Sequence, residues 1–314
     1  MTQEMKRYAI GTDIGGSHIS CALVSLLEKK LVKDSIRSQQ VNNQAPAEEI
    51  LDNWCIALQK TKELVSEDEL AGIGFAIPGP FDYANGIALF THEVAKYEKL
   101  YGVDIADELA KRLEMSAAKF RFMNDATAFA VGEAWAGKAK NVTRSLSVTL
   151  GTGFGSAFID EGLPVVERTD VPRLGCVWHL PYRNGIADDY FSTRWFTKRY
   201  HEETGHMVSG VKAIADNAAD NPVAKKTFVE FGTNLGDFLG PWLKKFEAEM
   251  LVIGGNVSGA YQWIEEAFSV SLKKQDIYMP VEISELMENS AIAGSAHMFD
   301  ETFWGHVKPM LSKM

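Results

Sequence analysis

From Tyr8 onward the chain alternates short apolar runs with glycine punctuation, and the runs carry two different periods. Tyr8 to Asp13 reads as a strand leading into Gly15-Gly16, and Ile19 to Ser25 alternates with the period of two expected of a second strand. A third strand is expected over Leu31 to Ile36. From Pro46 to Val65, the positions Leu51, Trp54, Leu58 and Val65 recur at helical spacing and predict an amphipathic helix. Ala71 to Ile77 is a short apolar strand that stops at the turn Pro78-Gly79-Pro80. Asp104 caps a helix that carries Ile105, Leu109 and Leu113 on one face.

The pattern then restarts. Phe120 to Met123 predicts a strand running into Asn124-Asp125, followed by an alanine-rich helix from Ala126 to Trp135 closed by Gly137. Ser145 to Leu150 and Ser156 to Ile159 predict strands around the turn Gly151 to Gly155. Asn221-Pro222 opens a long helix in the cap-then-proline order, ending near Phe246. Leu251 to Ile253 is a buried strand ending at Gly254-Gly255-Asn256, and Asn289 to Met298 reads as a small-residue helix. The restart predicts a small lobe over 1–119, joined by a C-terminal helix at about 299–314, and a large lobe over 120–298.

Composition narrows the class. The 314 residues are 46% hydrophobic and 24% charged, which suits a soluble protein of two domains. The net charge is −10 and the basic residues are scattered, so nucleic acid is not expected as a partner. Cys21, Cys55 and Cys176 are odd in number and far apart, with no disulfide framework. The opening MTQEMKRYAIG has no apolar core of signal-peptide length, and no run is long enough to span a membrane. A cytoplasmic protein acting on a small molecule is expected, with a homodimer as the general prior for such enzymes.

Two segments look like imperfect copies of one idea. Ile10-Gly11-Thr12-Asp13-Ile14-Gly15-Gly16-Ser17 and Leu150-Gly151-Thr152-Gly153-Phe154-Gly155-Ser156 are each strand, glycine turn, strand. Glycine permits positive φ and leaves backbone N–H groups bare, so successive amides can converge on an anion. Two such turns facing each other would grip a polyphosphate such as ATP. The dinucleotide fingerprint must open a helix, whereas both turns here lead into strands, and no G-x-x-x-x-G-K-[ST] loop occurs. The plainer alternative is a pair of ordinary hairpin turns.

Asp13, at the end of its strand, can hold the water shell of Mg²⁺ against phosphate oxygens. Gly254-Gly255-Asn256 would let the chain approach adenine or ribose. Asp125 is the candidate catalytic base for phosphoryl transfer to an alcohol, with Asn124 fixing neighbouring hydroxyls. The structural alternative for Asn124-Asp125 is a plain helix N-cap.

At this point the residues resemble the ROK family of sugar kinases and sugar-responsive repressors, within the actin/hexokinase-type ATPase superfamily. The resemblance rests on five strings in order. They are Gly11 to Ser17, Gly74-Phe75-Ala76-Ile77-Pro78-Gly79-Pro80, Asn124-Asp125-Ala126 with Gly132-Glu133, Leu150-Gly151-Thr152-Gly153, and Val252-Ile253-Gly254-Gly255. It implies a two-lobed α/β fold of the actin-like, ribonuclease H-like type, with mixed sheets flanked by helices and a cleft between lobes. It further implies ATP and Mg²⁺, Asp125 as base for a sugar's 6-hydroxyl, and Gly79 on the sugar side. Repressor members carry an N-terminal helix-turn-helix domain, for which a first strand at about Tyr8 leaves no room.

The departure lies between 167 and 192. Family members usually carry G-E-x-G-H and then a C-x-C-G-x-x-G-C-x-E zinc loop. Here Pro172-Arg173-Leu174-Gly175-Cys176 puts Arg173 in place of the glutamate and Cys176 in place of the histidine, and the zinc cysteines are missing. No zinc site is expected, Cys176-x-x-His179 being at most half of one. In the family that glutamate, that histidine and a later glutamate bind sugar hydroxyls, and the later glutamate corresponds to Asp188, which the resemblance therefore implies as a sugar contact. Arg only donates hydrogen bonds, so Arg173 suits an anionic sugar group; equally, it faces solvent and Glu167 or His179 takes over the contact. A sugar kinase and a catalytically silent sugar- or nucleotide-binding protein are the two functional readings.

Overall fold

The computed structural model describes residues 7–92 and 96–314. Residues 1–6, part of the stretch read for a signal sequence, lie outside them. The chain forms two compact units. The first comprises Met1–Lys140, Gly162–Pro164 and Leu286–Met314, the second Asn141–Glu161 and Val165–Glu285.

The first unit opens with β1 (Tyr8–Ile14) and β2 (His18–Ser25), an antiparallel pair. After α1 (Ala47–Lys62), β3 (Leu70–Ile77) joins β1 in parallel. After α2 (Ile105–Leu113), β4 (Phe120–Asn124) joins β3 in parallel and runs straight into α3 (Asp125–Ala136). The sheet order is therefore β2-β1-β3-β4. The strand expected over Leu31 to Ile36 does not form. Ser35 Oγ donates to Val32 O at 2.7 Å and accepts from Leu23 N at 3.1 Å, which turns the chain. Two shorter pieces, Lys30–Leu31 and Arg37–Gln40, pair with β2 on either side of that bend.

In the second unit, β5 (Arg144–Leu150) and β6 (Phe154–Asp160) form an antiparallel hairpin. Helices α4 (Thr193–Thr204) and α5 (Pro222–Phe246) follow. Asn221 caps α5 by accepting from Val223 N and Ala224 N, ahead of the proline at its first turn. Strand β7 (Met250–Gly254) pairs in parallel with β5, and after α6 (Glu265–Lys273), β8 (Val281–Ile283) pairs in parallel with β7. Phe158, Phe191, Phe196, Phe228, Phe231 and Phe246 are fully buried in this unit's core.

The chain returns to the first unit with α7 (Glu288–His297) and α8 (Glu301–Val307). Glycines let α7 press against its neighbours' backbone. A Cβ on Gly11 of β1 would lie 1.9 Å from Ile292 O, and one on Gly74 of β3 would lie 2.0 Å from Ser295 O. Gly132 of α3 and Gly294 of α7 meet Ser290 O and Ala128 O in the same way, each at 1.9 Å. Several glycines that read as motif letters are thus contact points between helix and sheet.

The division falls at 140, not at 119. Strand β4 is hydrogen-bonded into the first sheet and α3 packs on α7, so Asp125 belongs with Asp13 and Gly79. The C-terminal residues from 286 on also belong to this unit. Each unit repeats one plan, a hairpin whose first strand is extended by parallel strands. Among the described residues no helix is long and apolar enough to cross a membrane.

Candidate active site

The parallel strands of the first unit bring its candidate residues to one edge. Asp13 pairs with Ala76 and Ile77 pairs with Asn124, so Asp13, the Pro78-Gly79-Pro80 turn and Asp125 all lie at strand carboxyl ends. Open α/β sheets bind ligands at that edge.

In the first glycine turn, Gly15 N donates to His18 O at 2.9 Å. Each carbonyl of the turn is tied down. Gly15 O accepts from the Tyr97 hydroxyl at 2.6 Å, Gly16 O from Asn43 Nδ2, and Ser17 O from Val41 N at 2.8 Å. Among the described residues, the amides of Gly16 and Ser17 have no protein acceptor. Two successive free amides are the elements of an anion nest. Neither Gly15 nor Gly16 takes a positive φ, so this turn does not use the left-handed backbone that glycine permits. What matters is space: a Cβ on Gly16 would lie 3.1 Å from Lys96 Cε and 3.3 Å from its Nζ. Lys96 therefore brings a cation to this turn, a feature no motif in the sequence announced.

At the β4–α3 junction the two candidates divide the work. Asn124 is the N-cap, its Oδ1 accepting from Thr127 N at 3.1 Å. Asp125 is released from capping. Its Oδ1 accepts from Ala126 N at 2.8 Å and from Asn124 Nδ2 at 3.1 Å. Asn124 Nδ2 also donates to the Tyr83 hydroxyl at 3.2 Å, and that hydroxyl donates to Ile77 O at 3.2 Å beside the Gly79 turn.

Both carboxyl groups lie deep although each residue keeps some surface in contact with solvent. Burial raises the Asp125 pKa above the usual carboxylate range, while the Ala126 amide, the Lys96 charge and the Asn124 amide pull it back. Asp13 is pushed up to about 7, by burial first and then by repulsion from Asp125 and Glu288.

The second unit follows the same rule. The Gly151–Gly153 turn leaves the end of β5, and Gly254 of β7 pairs with Thr149 beside it. Gly151 O accepts from Thr193 N at 2.8 Å, Thr152 O from Arg194 Nη1 at 2.6 Å, and Gly153 O from Gly151 N at 3.0 Å. Again two consecutive amides, those of Thr152 and Gly153, have no protein acceptor among the described residues, and both residues are exposed. Gly255 does use a positive φ of 81°, and a Cβ there would sit 2.4 Å from Leu150 O. It presses the chain against Leu150 just before the exposed Asn256.

In the rebuilt segment Arg173 is exposed on a short turn whose Leu174 has a φ of 66°. Gly175 is pressed against Val165, a Cβ there falling 2.2 Å from Val165 O. Cys176 Sγ lies 3.7 Å from His179 Nδ1, and burial, then the Arg173 charge, lower the His179 pKa. Among the described residues no group of three or more His, Cys, Asp and Glu side chains is placed to share a metal ion. The Asp188 carboxylate is bonded within the protein: Oδ1 accepts from Phe154 N at 2.7 Å and Oδ2 pairs with Arg194 Nη2 at 2.5 Å.

The chain resembles known proteins over most of its length. The chain is 27% identical over 330 residues to the glucokinase of Thermotoga maritima, spanning 94% of this chain and 98% of that protein. It is 24% identical over 314 residues to the N-acetyl-D-glucosamine kinase of Haemophilus influenzae, spanning 92% and 98%. The crystal structure of a ROK family glucokinase from Streptomyces griseus, in complex with glucose and AMPPNP, superposes with a TM-score of 0.74 at 21% identity, covering 93% of this chain and 98% of that one. The α/β fold is accordingly that of the actin-like ATPases expected from the sequence. The model of the ROK family matches residues 9–302, from β1 into α8 and through both glycine turns and Asp125, and the chain belongs to that family.

Proposed function

We propose that the chain is an ATP-dependent sugar kinase that transfers the γ-phosphoryl group to the 6-hydroxyl of a hexose or hexose derivative. The observation that carries this reading is the placement of Asp125. A carboxylate freed from capping lies at the same strand edge as a glycine turn with two free amides. Relatives named for glucose and N-acetylglucosamine phosphorylation make a hexose the natural acceptor.

The amides of Gly16 and Ser17 and those of Thr152 and Gly153 would hold the phosphates, with Gly254, Gly255 and Asn256 beside the adenosine. On the sugar side, Gly79, Asn124 and Asp125 would receive the acceptor, with Arg173 available to an anionic substituent. Transfer forms a bond from the acceptor oxygen to the γ-phosphorus and breaks the bond to the bridging oxygen of ADP. The hydroxyl proton passes to Asp125. The Ala126 and Asn124 donors both fall on Asp125 Oδ1, and Oδ2 would take that proton. A carboxylate whose pKa burial raises above the usual range, against the pull of the Lys96 charge, is a better proton acceptor than an exposed one and fits this step. Closure around the sugar, which excludes water as a competing acceptor, belongs to this kind of chemistry.

The residues fit a bound Mg²⁺. Asp125 and Glu288 both repel a charged Asp13, and a cation beside Asp13 would relieve that repulsion. With no three ligating side chains gathered among the described residues, Asp13 would act through water. The ion's contribution is to screen charge on the transferring phosphoryl group.

The second reading, a catalytically silent binding protein, is favoured by one observation: both Asp188 oxygens are already engaged inside the protein. An ATP-coupled assay over neutral, amino and acidic hexoses decides between the two. Turnover with at least one acceptor, lost in Asp125→Asn, supports the kinase. Saturable binding without turnover above that control supports the silent protein.

A further inference from the structure

We propose that Arg194 is an additional ligand for the nucleotide's phosphates, and that Asp188 serves this nucleotide half as its positioning residue instead of contacting the sugar. The inference rests on the kinase reading and refines it.

The short stretch from Asp188 to Arg194 fastens the second glycine turn at three points. Thr193 N donates to Gly151 O at 2.8 Å, Arg194 Nη1 to Thr152 O at 2.6 Å, and Phe154 N to Asp188 Oδ1 at 2.7 Å. Asp188 Oδ1 also lies close to Gly153, where a Cβ would come within 3.1 Å of it. Fixing the carbonyls inward is what leaves the Thr152 and Gly153 amides open.

Arg194 itself is only partly used. Its described bonds engage Nη1 and Nη2 once each, and its side chain is 55% exposed. A guanidinium has five N–H donors in a planar fork suited to phosphate oxygens. Because Nη1 is bonded to the carbonyl of Thr152, an anion on the neighbouring amides would come within reach of the remaining donors. The cation also answers a problem that Asp188 creates. A carboxylate bonded to Phe154 N stands beside a site meant for a polyanion, and the ion pair at 2.5 Å cancels its charge.

The test is calorimetric titration of the full-length chain with ADP and Mg²⁺, supported by KM values for ATP and acceptor. The series is wild type, Arg194→Ala, Arg194→Lys, Asp188→Asn and Asp188→Asn/Arg194→Ala. Arg194→Ala is expected to weaken ADP binding and raise the ATP KM by roughly tenfold or more, the usual worth of a charge-assisted hydrogen bond, while the acceptor KM stays within about twofold. Arg194→Lys should recover part of the loss. The double variant should bind ADP more tightly than Arg194→Ala alone, because the uncompensated carboxylate is gone.

Unchanged ADP binding in Arg194→Ala overturns the assignment and leaves the kinase reading intact. An Asp188→Asn variant that raises only the acceptor KM overturns it as well, returning Asp188 to the sugar. No ADP binding by the wild type overturns both. Thermal unfolding of each variant separates lost binding from lost folding, and a Tm matching wild type is expected for Arg194→Lys.

Discussion

Ile77 and Asn124 face each other across the parallel pair of β3 and β4, so that the Gly79 turn and Asp125 leave the sheet as neighbours. Asn124 connects them further, donating both to Tyr83 and to Asp125 while its carbonyl oxygen caps α3. Stability and chemistry can therefore be separated at this one position. Asn124→Ala loses the cap and should cost about 1 kcal/mol of stability. Asn124→Asp keeps a cap but sets a second negative charge beside Asp125. It should unfold nearer to wild type than Asn124→Ala, yet shift the acid limb of the pH–rate profile to higher pH. Thermal unfolding and pH–rate profiles on both variants check this.

Lys96 acts on Asp125 from the first glycine turn, lowering its pKa against the effect of burial. Lys96→Met should move the acid limb of kcat/KM to higher pH, since the base loses the cation that favours its ionised form. Lys96→Arg should hold the limb near the wild-type position. A limb that stays put in Lys96→Met would show that the lysine only packs there.

Asp13, with its pKa near 7 in the folded chain, makes the ligand-free protein sensitive to pH. An unfolded aspartate titrates at about 3.9. The protonated folded form therefore contributes stability that is fully present below about pH 4 and is lost as pH rises through about 7. Thermal unfolding should show Asp13→Asn gaining on wild type between pH 5 and pH 8, by an amount on the order of a few kcal/mol at most. Equal pH dependence of the two proteins would contradict the raised pKa.

The glycines that seat α7 give a contrast in stability. Gly294→Ala drives a Cβ to 1.9 Å from Ala128 O, whereas Gly305 in α8 has nothing within 4 Å. Overpacking of this kind costs roughly 1–3 kcal/mol or more, so Gly294→Ala should lower Tm by several degrees. Gly305→Ala should leave Tm unchanged or raise it slightly, because alanine favours the helix by roughly 0.5–1 kcal/mol.

Much of the layout was legible in residue patterns, and the exceptions have physical causes. The hairpins around Gly15-Gly16 and Gly151–Gly153 follow from period-two strands broken by glycine, and the 222–246 helix follows from its Asn-Pro start. The bend at Ser35 escaped because a serine hydroxyl that bonds the carbonyl three residues earlier gives no periodic signal. The division at 140 escaped because a strand and helix pattern does not say which sheet the strand joins; β4 looked like a new beginning and is the last strand of the first sheet. Positive φ was expected at the phosphate turns, but only Gly255 uses it. Lys96 and Arg194 are single basic residues outside any motif, visible only once folding brings them to the turns.

Hydrogen exchange with and without AMPPNP and Mg²⁺ tests most directly whether the free amides of each glycine turn bind phosphate. The amides of Gly16, Ser17, Thr152 and Gly153 have no protein acceptor among the described residues and should exchange fast in the free chain. Slowed exchange in both the 15–17 and the 151–154 segments on adding the nucleotide is the predicted result. Slowing in one segment alone, or in neither, while the nucleotide is bound would contradict it.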